Sequence, residues 1–491
     1  MSNLRKGALS SILLLGESIL KKMIGLVSTL ILARVLLPED FGIVAIAILI
    51  IGLIEILSNT GSLQYLLRVD EIDEEKVNTA FTIDVIFKGS IATLIAALSF
   101  LIADYYDDPR LINVILSLTC VFMLSGLRNP GEVFLRREQN YTKLIKISLV
   151  AKVISVIVAI FSALTLQNYW ALIFGQATNA VLMLVGSYFV HPHRPKLTLK
   201  NAREQWQFSS WIIPQSIFGY IRTQLDTFIV SSTFGKAELG SYHTMKYIAF
   251  MPSSHIVLPI IQPFLVELRK TMHNPNEFAK QFNTSFIITM LIALPITCTM
   301  YFHHEIVTLV LLGKNWLEYS VLLGTFSLLV PAFVMLNQCL RVLIVYGKTK
   351  HIFMYECVAF VILYSSLFAV GIEDLLLFTS VRVGIENIMC FVFLILITVK
   401  YTSIKNTLSL LASIIPFLLG AVLAAISSSY FVTLTNYSFL KLLIATMFTF
   451  LTFYGTVFVF HLIFRHRFQE WKYLETLLLR TIEPIKKRLQ R

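Results

Sequence analysis

The sequence predicts an all-α polytopic membrane protein, and three observations carry that prediction. About fourteen apolar stretches, each long enough to cross a bilayer, fill the chain from about residue 9 to 465. A hydrocarbon core about 30 Å thick needs about 20 helical residues per crossing. The connections between stretches reach about sixteen residues at most, too short for soluble domains. The chain is 56% hydrophobic and 14% charged with a mean hydropathy of +0.74, against about 25% charged residues in soluble domains. Backbone groups without water must be satisfied inside helices or a closed barrel, and alternating ten-residue strands are absent from the sequence.

Turn signals divide the chain into spans near 9–35, 42–67, 79–103, 110–128, 144–166, 169–190, 207–233, 239–266, 280–302, 317–346, 351–370, 375–399, 407–431 and 438–464. The first span follows MSNLRKG, carries Glu17 and Lys21–Lys22, and lacks a small-residue cleavage pattern, so it reads as a retained helix. The eighth carries Pro252, Pro259 and Pro263 around His255, which predicts a bent or broken helix suited to a gate. His255 itself reads as a satisfied interior histidine. The five cysteines (120, 298, 339, 357, 390) all lie in apolar segments without CxxC spacing, which excludes a disulfide or zinc framework. Asn140, Asn283 and Asn436 begin N-x-S/T triplets, but within or beside spans or on the inner side, where glycosylation is not expected.

The net charge of +12 would suggest a nucleic-acid partner in a soluble protein. Here its distribution matters more. With the N-terminus inside, 28 of the 41 lysines and arginines fall in inner connections or the tail. Only Arg34, Arg110, Lys236, Lys314 and Lys441 fall outside. That bias places both termini in the cytoplasm. The acidic run 70–75 on the inner side does not oppose it. The tail, 466–491, sets Trp471, Leu474, Leu477 and Leu478 on one helical face among basic residues, which predicts an amphipathic helix lying on anionic lipid.

The chain also resembles itself. LLPEDFGIV (36–44) follows the first span and FGKAELGSY (234–242) follows the seventh, and aligning Gly42 with Gly240 pairs Asp40 with Glu238. The offset corresponds to six spans, so both halves would share one orientation, with a substrate site between them. The predicted organisation is an N-lobe (1–190, six spans), a basic proline-containing linker (191–206), a C-lobe (207–400, six spans), two additional spans (401–465) and the tail (466–491).

ARVLLPEDFGIVAIA, QLDTFIVSSTFGKAELGSY and the basic segment PGEVFLRREQNYTKL (130–144) resemble the polysaccharide transport family, the Wzx-type flippases of the multidrug/oligosaccharidyl-lipid/polysaccharide exporter superfamily. The resemblance covers the whole chain through span count, lobes and linker. It implies two six-helix lobes around a central cavity that work by alternating access. It further implies an undecaprenyl-diphosphate-linked oligosaccharide as cargo, moved across a bacterial cytoplasmic (inner) membrane for cell-surface polysaccharide biosynthesis. A polysaccharide polymerase and a chain-length regulator would be partners.

Within the spans remain eight basic residues (Lys21, Lys22, Lys88, Lys152, Arg222, Lys246, Arg341, Arg382) and six acids (Glu17, Glu55, Asp84, Asp226, Glu356, Glu386). Each costs about 2.5–3.5 kcal/mol at mid-membrane unless paired or wet. Glu17–Lys21, Asp84–Lys88, Arg222–Asp226 and Arg382–Glu386 are i,i+4 pairs that can neutralise each other locally. Lys152, near a span end, can snorkel to water. Lys246 and Arg341 lie deeper, where inter-helix bridges to Glu55 or Glu356 are the alternative to a ligand role. Polar stripes (Glu17, Lys21, Gly25, Ser28; Gln215, Gly219, Arg222, Asp226) place the first and seventh spans against an aqueous interior. These considerations nominate Lys21, Lys22, Arg222, Lys246, Arg341 and Arg382 as a cationic site for a diphosphate head. Asp226, Glu55 and Glu356 are the candidates for coupling to a proton or sodium gradient.

No cofactor or metal is expected. Gly347-Lys348-Thr349 has Val342 where a phosphate-binding loop needs its first glycine, and HExxH and GxSxG are absent. Energy would then come from an ion gradient or the membrane potential. A drug/cation antiporter of the same superfamily would favour a net acidic cavity, and a lipid II flippase is close in mechanism. A membrane-bound sugar transferase or polymerase would need longer loops bearing acids or histidines; His303-His304-Glu305 is the one dense polar cluster on the outer side.

Overall fold

A computed structural model describes residues 3–58, 60–69, 71–261, 264–370, 374–432 and 437–464. Among them every regular element is helical. The tail 466–491, Asn436 and Pro263 lie outside the described residues. The chain separates into two compact units, Met1–His243 and Thr244–Arg491.

The first unit contains α1 (Asn3–Val35), α2 (Pro38–Leu57), α3 (Ser62–Arg68), α4 (Glu74–Tyr105), α5 (Arg110–Gly126), α6 (Glu132–Arg137), α7 (Thr142–Leu166), α8 (Trp170–Val190), α9 (Ala202–Thr233) and the start of α10 (Lys236–Pro252). The second holds the rest of α10, then α11 (Leu258–Ile261), α12 (Phe264–Thr271), α13 (Pro275–Phe302), α14 (His304–Leu311), α15 (Ser320–Ser327), α16 (Leu329–Val345), α17 (Thr349–Val370), α18 (Leu375–Tyr401), α19 (Ile404–Val432) and α20 (Ser438–Phe464). Among the described residues, ten helical stretches are long and apolar enough to cross a membrane. Charge-bearing α1 and α9, the shorter α5 and the interrupted stretch α10–α12 occupy the other four predicted positions, consistent with fourteen crossings.

Local chemistry sets where helices start. Asp73 caps α4 by accepting the Lys76 amide at 2.6 Å, and Asp374 caps α18 through the Leu377 amide at 2.7 Å. Asn274 caps α13, with Pro275 next, where its missing N–H costs nothing. The eighth predicted span is broken, as its prolines require: α10 ends at Pro252 and a π turn (Ser253–Val257) leads into α11. The two additional spans form a pair within the second unit. Gly420 lets α19 approach Phe453, whose ring stacks on Phe417 at 6.2 Å. Tyr454 of α20 donates to the Leu291 carbonyl of α13 at 3.1 Å.

α9 belongs to the first unit because it packs on α2. The Tyr220 hydroxyl donates to the Leu49 carbonyl, and the ring lies against Gly52, where no larger residue leaves room. The linker is a docked strap. Asn129 donates to the carbonyls of His191 (3.2 Å) and His193 (2.7 Å). Asn78 of α4 bonds the His193 ring at 3.1 Å and accepts the Lys196 amide at 3.0 Å. Lys200 reaches Glu75 at 2.6 Å. Burial of the His193 ring holds its pKa below the ordinary value.

Candidate functional site

The in-span charges of the first unit gather mostly on α1, α2, α7 and α9. Glu17 and Lys21 of α1 form the expected one-turn ion pair at 2.9 Å, and Ser148 of α7 donates to Glu17. Lys152, also on α7, turns its ammonium toward α1, 3.8 Å from where a side chain on Gly25 would begin. There it is half-buried and feels the charge of Lys21. Among the described residues Lys152 forms no ion pair. Two ammonium groups thus sit against the same helix seam, Lys21 paired with Glu17 and Lys152 beside Gly25 one turn further along α1. Lys22, one residue on, lies on an exposed face of α1 beside Ile19 and Met23, because adjacent helical residues point about 100° apart.

Glu55 at the end of α2 acts on Arg128 of the α5–α6 connection and on Tyr220 of α9. Burial lowers the Arg128 pKa, opposed by Glu132 and Glu55, and its Nε is buried without a hydrogen-bond partner. On α9, Arg222 is half-buried, whereas Asp226 is fully buried and accepts the Tyr242 hydroxyl at 2.7 Å. The Gln215 side chain of that stripe lies outside the described residues. Asp84 corrects one expectation: it accepts hydrogen bonds from Thr60 (2.5 Å) and Ser62 (2.7 Å) instead of pairing with Lys88. Hydroxyls supplied by the turn after α2 solvate the carboxylate, and Gln205 of α9 donates to Ser62 at 2.6 Å.

In the second unit Arg382 of α18 is buried, 3.8 Å from Glu386 and 5.9 Å above the Phe326 ring of α15. Arg341 of α16 is half-buried, and its Nε lacks a hydrogen-bond partner. Lys246 of α10 and Glu356 of α17 are likewise half-buried. His255 sits in the π turn, its Nδ1 near Ser254 Oγ (2.6 Å) and the Met251 carbonyl (2.8 Å). Among the described residues no cluster of His, Cys, Asp and Glu is fit to hold a metal.

Sequence reasoning missed two residues, Lys152 and Arg128. Lys152 has the spacing of a snorkelling lysine, and Arg128 precedes Asn-Pro-Gly like any connector cation. Their inward direction is a property of the helices they meet.

At the opposite ends of these helices lies a second charged group. Asp108, buried between α4 and α5, is gripped by Arg110 (2.9 Å) and Lys236 (2.9 Å), and Arg110 also holds Glu39 at 2.6 Å. Burial alone would raise the Asp108 pKa; hydrogen bonds from Arg110 and Lys236 win and pull it down to about 2. Hydrogen bonds from Asp108 and Glu39 raise that of Arg110. Beside this chain α2 and α10 cross at Gly42 and Gly240, the pair matched by the internal repeat.

Apolar helices enclosing buried charges define a multi-pass α-helical membrane protein. The structure of "Lipid II flippase MurJ, inward closed conformation" shares that fold, with a TM-score of 0.70 at 14% identity over 92% of this chain and 99% of that one. The chain belongs to the polysaccharide biosynthesis protein family, whose model matches residues 31–321. It is 25% identical over 260 residues to the lipopolysaccharide biosynthesis protein WzxC of Escherichia coli K12, 51% of each chain. It is 22% identical over 311 residues to the succinoglycan biosynthesis transport protein ExoT of Rhizobium meliloti 1021, 61% of each. The matches therefore span about half to three fifths of the length of these curated relatives.

Proposed function

We propose that the protein is a flippase. It carries a polyprenyl-diphosphate-linked oligosaccharide repeat unit from the cytoplasmic to the outer leaflet by alternating access. The product would feed a polysaccharide polymerase and chain-length regulator in surface polysaccharide assembly. The carrying observation is the seam of Lys21 and Lys152, two ammonium groups set together at intramembrane helices, of which Lys21 pairs with Glu17 while Lys152 has no ion pair among the described residues. Like charges in a low-dielectric interior are costly unless an anion arrives to share them. A diphosphate supplies that anion and accepts both point charges and guanidinium forks. Family membership supports the polysaccharide context.

In this reading Lys21, Arg222, Lys246, Arg341 and Arg382 contribute to holding the head during the cycle, with Lys152 added to the set. Lys22, on an exposed face at the middle of the first span, completes the set. An anionic head with about two charges moving outward, interior negative, gains about 4.6 kcal/mol per 100 mV. The potential is thus a sufficient drive, with Asp226, Glu55 or Glu356 available for proton or sodium coupling. Polysaccharide export in cells whose only copy is Arg341→Ala or Arg222→Ala tests the assignment. We expect export to stop while membrane insertion and abundance stay normal; normal export by both variants would overturn it. In proteoliposomes, transport unaffected by collapsing the potential and both ion gradients would overturn the energy assignment.

A further inference from the structure

The first unit contains two adjoining cavities away from the cationic seam. One, about 630 Å³, is an apolar slot walled by Leu49 and Leu53 of α2, Leu98 and Leu101 of α4, and Ile221 and Leu225 of α9. The other, about 330 Å³, is polar and includes Asp107, Ser231, Ser232 and Lys236. Tyr105 and Tyr106 line both, with rings edge to face at 5.1 Å and the Tyr106 hydroxyl hydrogen-bonded to Ser231 at 2.8 Å.

From these cavities we infer that the first unit binds one phospholipid whose head carries both a phosphate and a primary ammonium, its acyl tail in the slot and its head in the polar cavity. The slot runs from Leu98 to Tyr106 along α4 and from Tyr220 to Phe228 along α9, about 12 Å at 1.5 Å per residue. That depth is close to one leaflet, about 15 Å. At about 630 Å³ and one leaflet deep, the slot is matched to a single acyl tail and not to a much longer polyprenyl chain. Paired tyrosines mark the level at which hydrocarbon gives way to headgroups. The polar cavity holds Lys236, whose ammonium bonds Asp108 at 2.9 Å and has two further N–H donors for a phosphate, and one exposed carboxylate, Asp107, for the lipid's ammonium. Asp107 stands at φ 48°, a left-handed posture at the tip of the α4–α5 connection. Because α2, α4 and α9 all wall the slot, the lipid bridges three helices that otherwise meet along limited seams.

Native mass spectrometry of the delipidated full chain, titrated with phosphatidylethanolamine or phosphatidylglycerol, tests the inference. The expected result is one tightly held phosphatidylethanolamine, bound at least about tenfold better than phosphatidylglycerol. Leu101→Trp, at a lipid-exposed position that tolerates bulk, should occlude the slot and weaken binding at least about tenfold for both lipids. Asp107→Asn should erase the preference between heads while leaving tail-dependent binding. Tail-free glycerophosphoethanolamine should not compete. Equal retention of both lipids by the parent chain, unchanged binding in both variants, or displacement of the phospholipid by a polyprenyl phosphate would each overturn it.

Discussion

Gly42 and Gly240 hold two helices in backbone contact: a Cβ on Gly42 would stand 1.8 Å from the Lys236 carbonyl oxygen, and one on Gly240 1.9 Å from that of Pro38. The residues related by the internal repeat are therefore the ones that meet. Each occupies the first turns of its helix, where two cylinders touch only if neither carries a side chain.

Either Gly42→Ala or Gly240→Ala forces the crossing apart, since the obstacle is backbone and cannot rotate away. We expect each to destabilise the purified protein by about 1–3 kcal/mol, read as a lowered thermal midpoint. The double variant should cost clearly less than the sum, because one separation relieves both overlaps. Additive losses would show that the two positions do not share a contact.

Asp108 makes stability depend on acid pH. Its folded pKa of about 2 lies below the ordinary carboxylate value of 3.8, so the unfolded chain binds its proton first. The stabilisation, roughly 1–2 kcal/mol after solvent screening, is complete above about pH 4 and is lost as pH falls toward 2. Chemical denaturation of the parent at pH 6 and pH 3 should show this loss. Asp108→Asn should start lower at pH 6 and lose less between the two.

Lys152→Ala should cut transport at least about tenfold without lowering abundance, and Lys152→Arg should restore much of it, because the seam requires a cation more than a particular shape. Glu17→Gln leaves Lys21 without its carboxylate beside the Lys152 ammonium and should tighten binding of a diphosphate head while slowing its release. Transport of head-labelled substrate into proteoliposomes separates these outcomes. Full activity in Lys152→Ala would remove this residue from the site.

The docked linker predicts a protease phenotype. Asn78→Ala removes the acceptor for both His193 and the Lys196 amide, at about 1–3 kcal/mol for the groups left unmet. Trypsin should then cut after Lys196 several-fold faster; Arg194, followed by Pro195, is not a trypsin site. His193 adds a pH term. Its depressed pKa means its contribution is whole above about pH 6.5 and falls as pH drops through the lowered value, so cleavage of the parent should quicken in mild acid.

Much of this protein is written along the chain. Runs of apolar residues set the spans, because a bilayer admits backbone only as closed hydrogen-bonded structure. Prolines 252 and 259 announced the break after α10, since a proline acts within a few residues. The one-turn pair Glu17–Lys21 was legible for the same reason.

Spacing tells which residues share a helix face, but not which helix that face will meet. Only packing decided that Asp84 would be solvated by Thr60 and Ser62 and not by Lys88, or that Lys152 would turn to Gly25 instead of water. The Gly42–Gly240 relation shows the division most plainly. The repeat related the two glycines across six spans, and the fold alone brought them into contact, because close approach depends on partners distant in sequence.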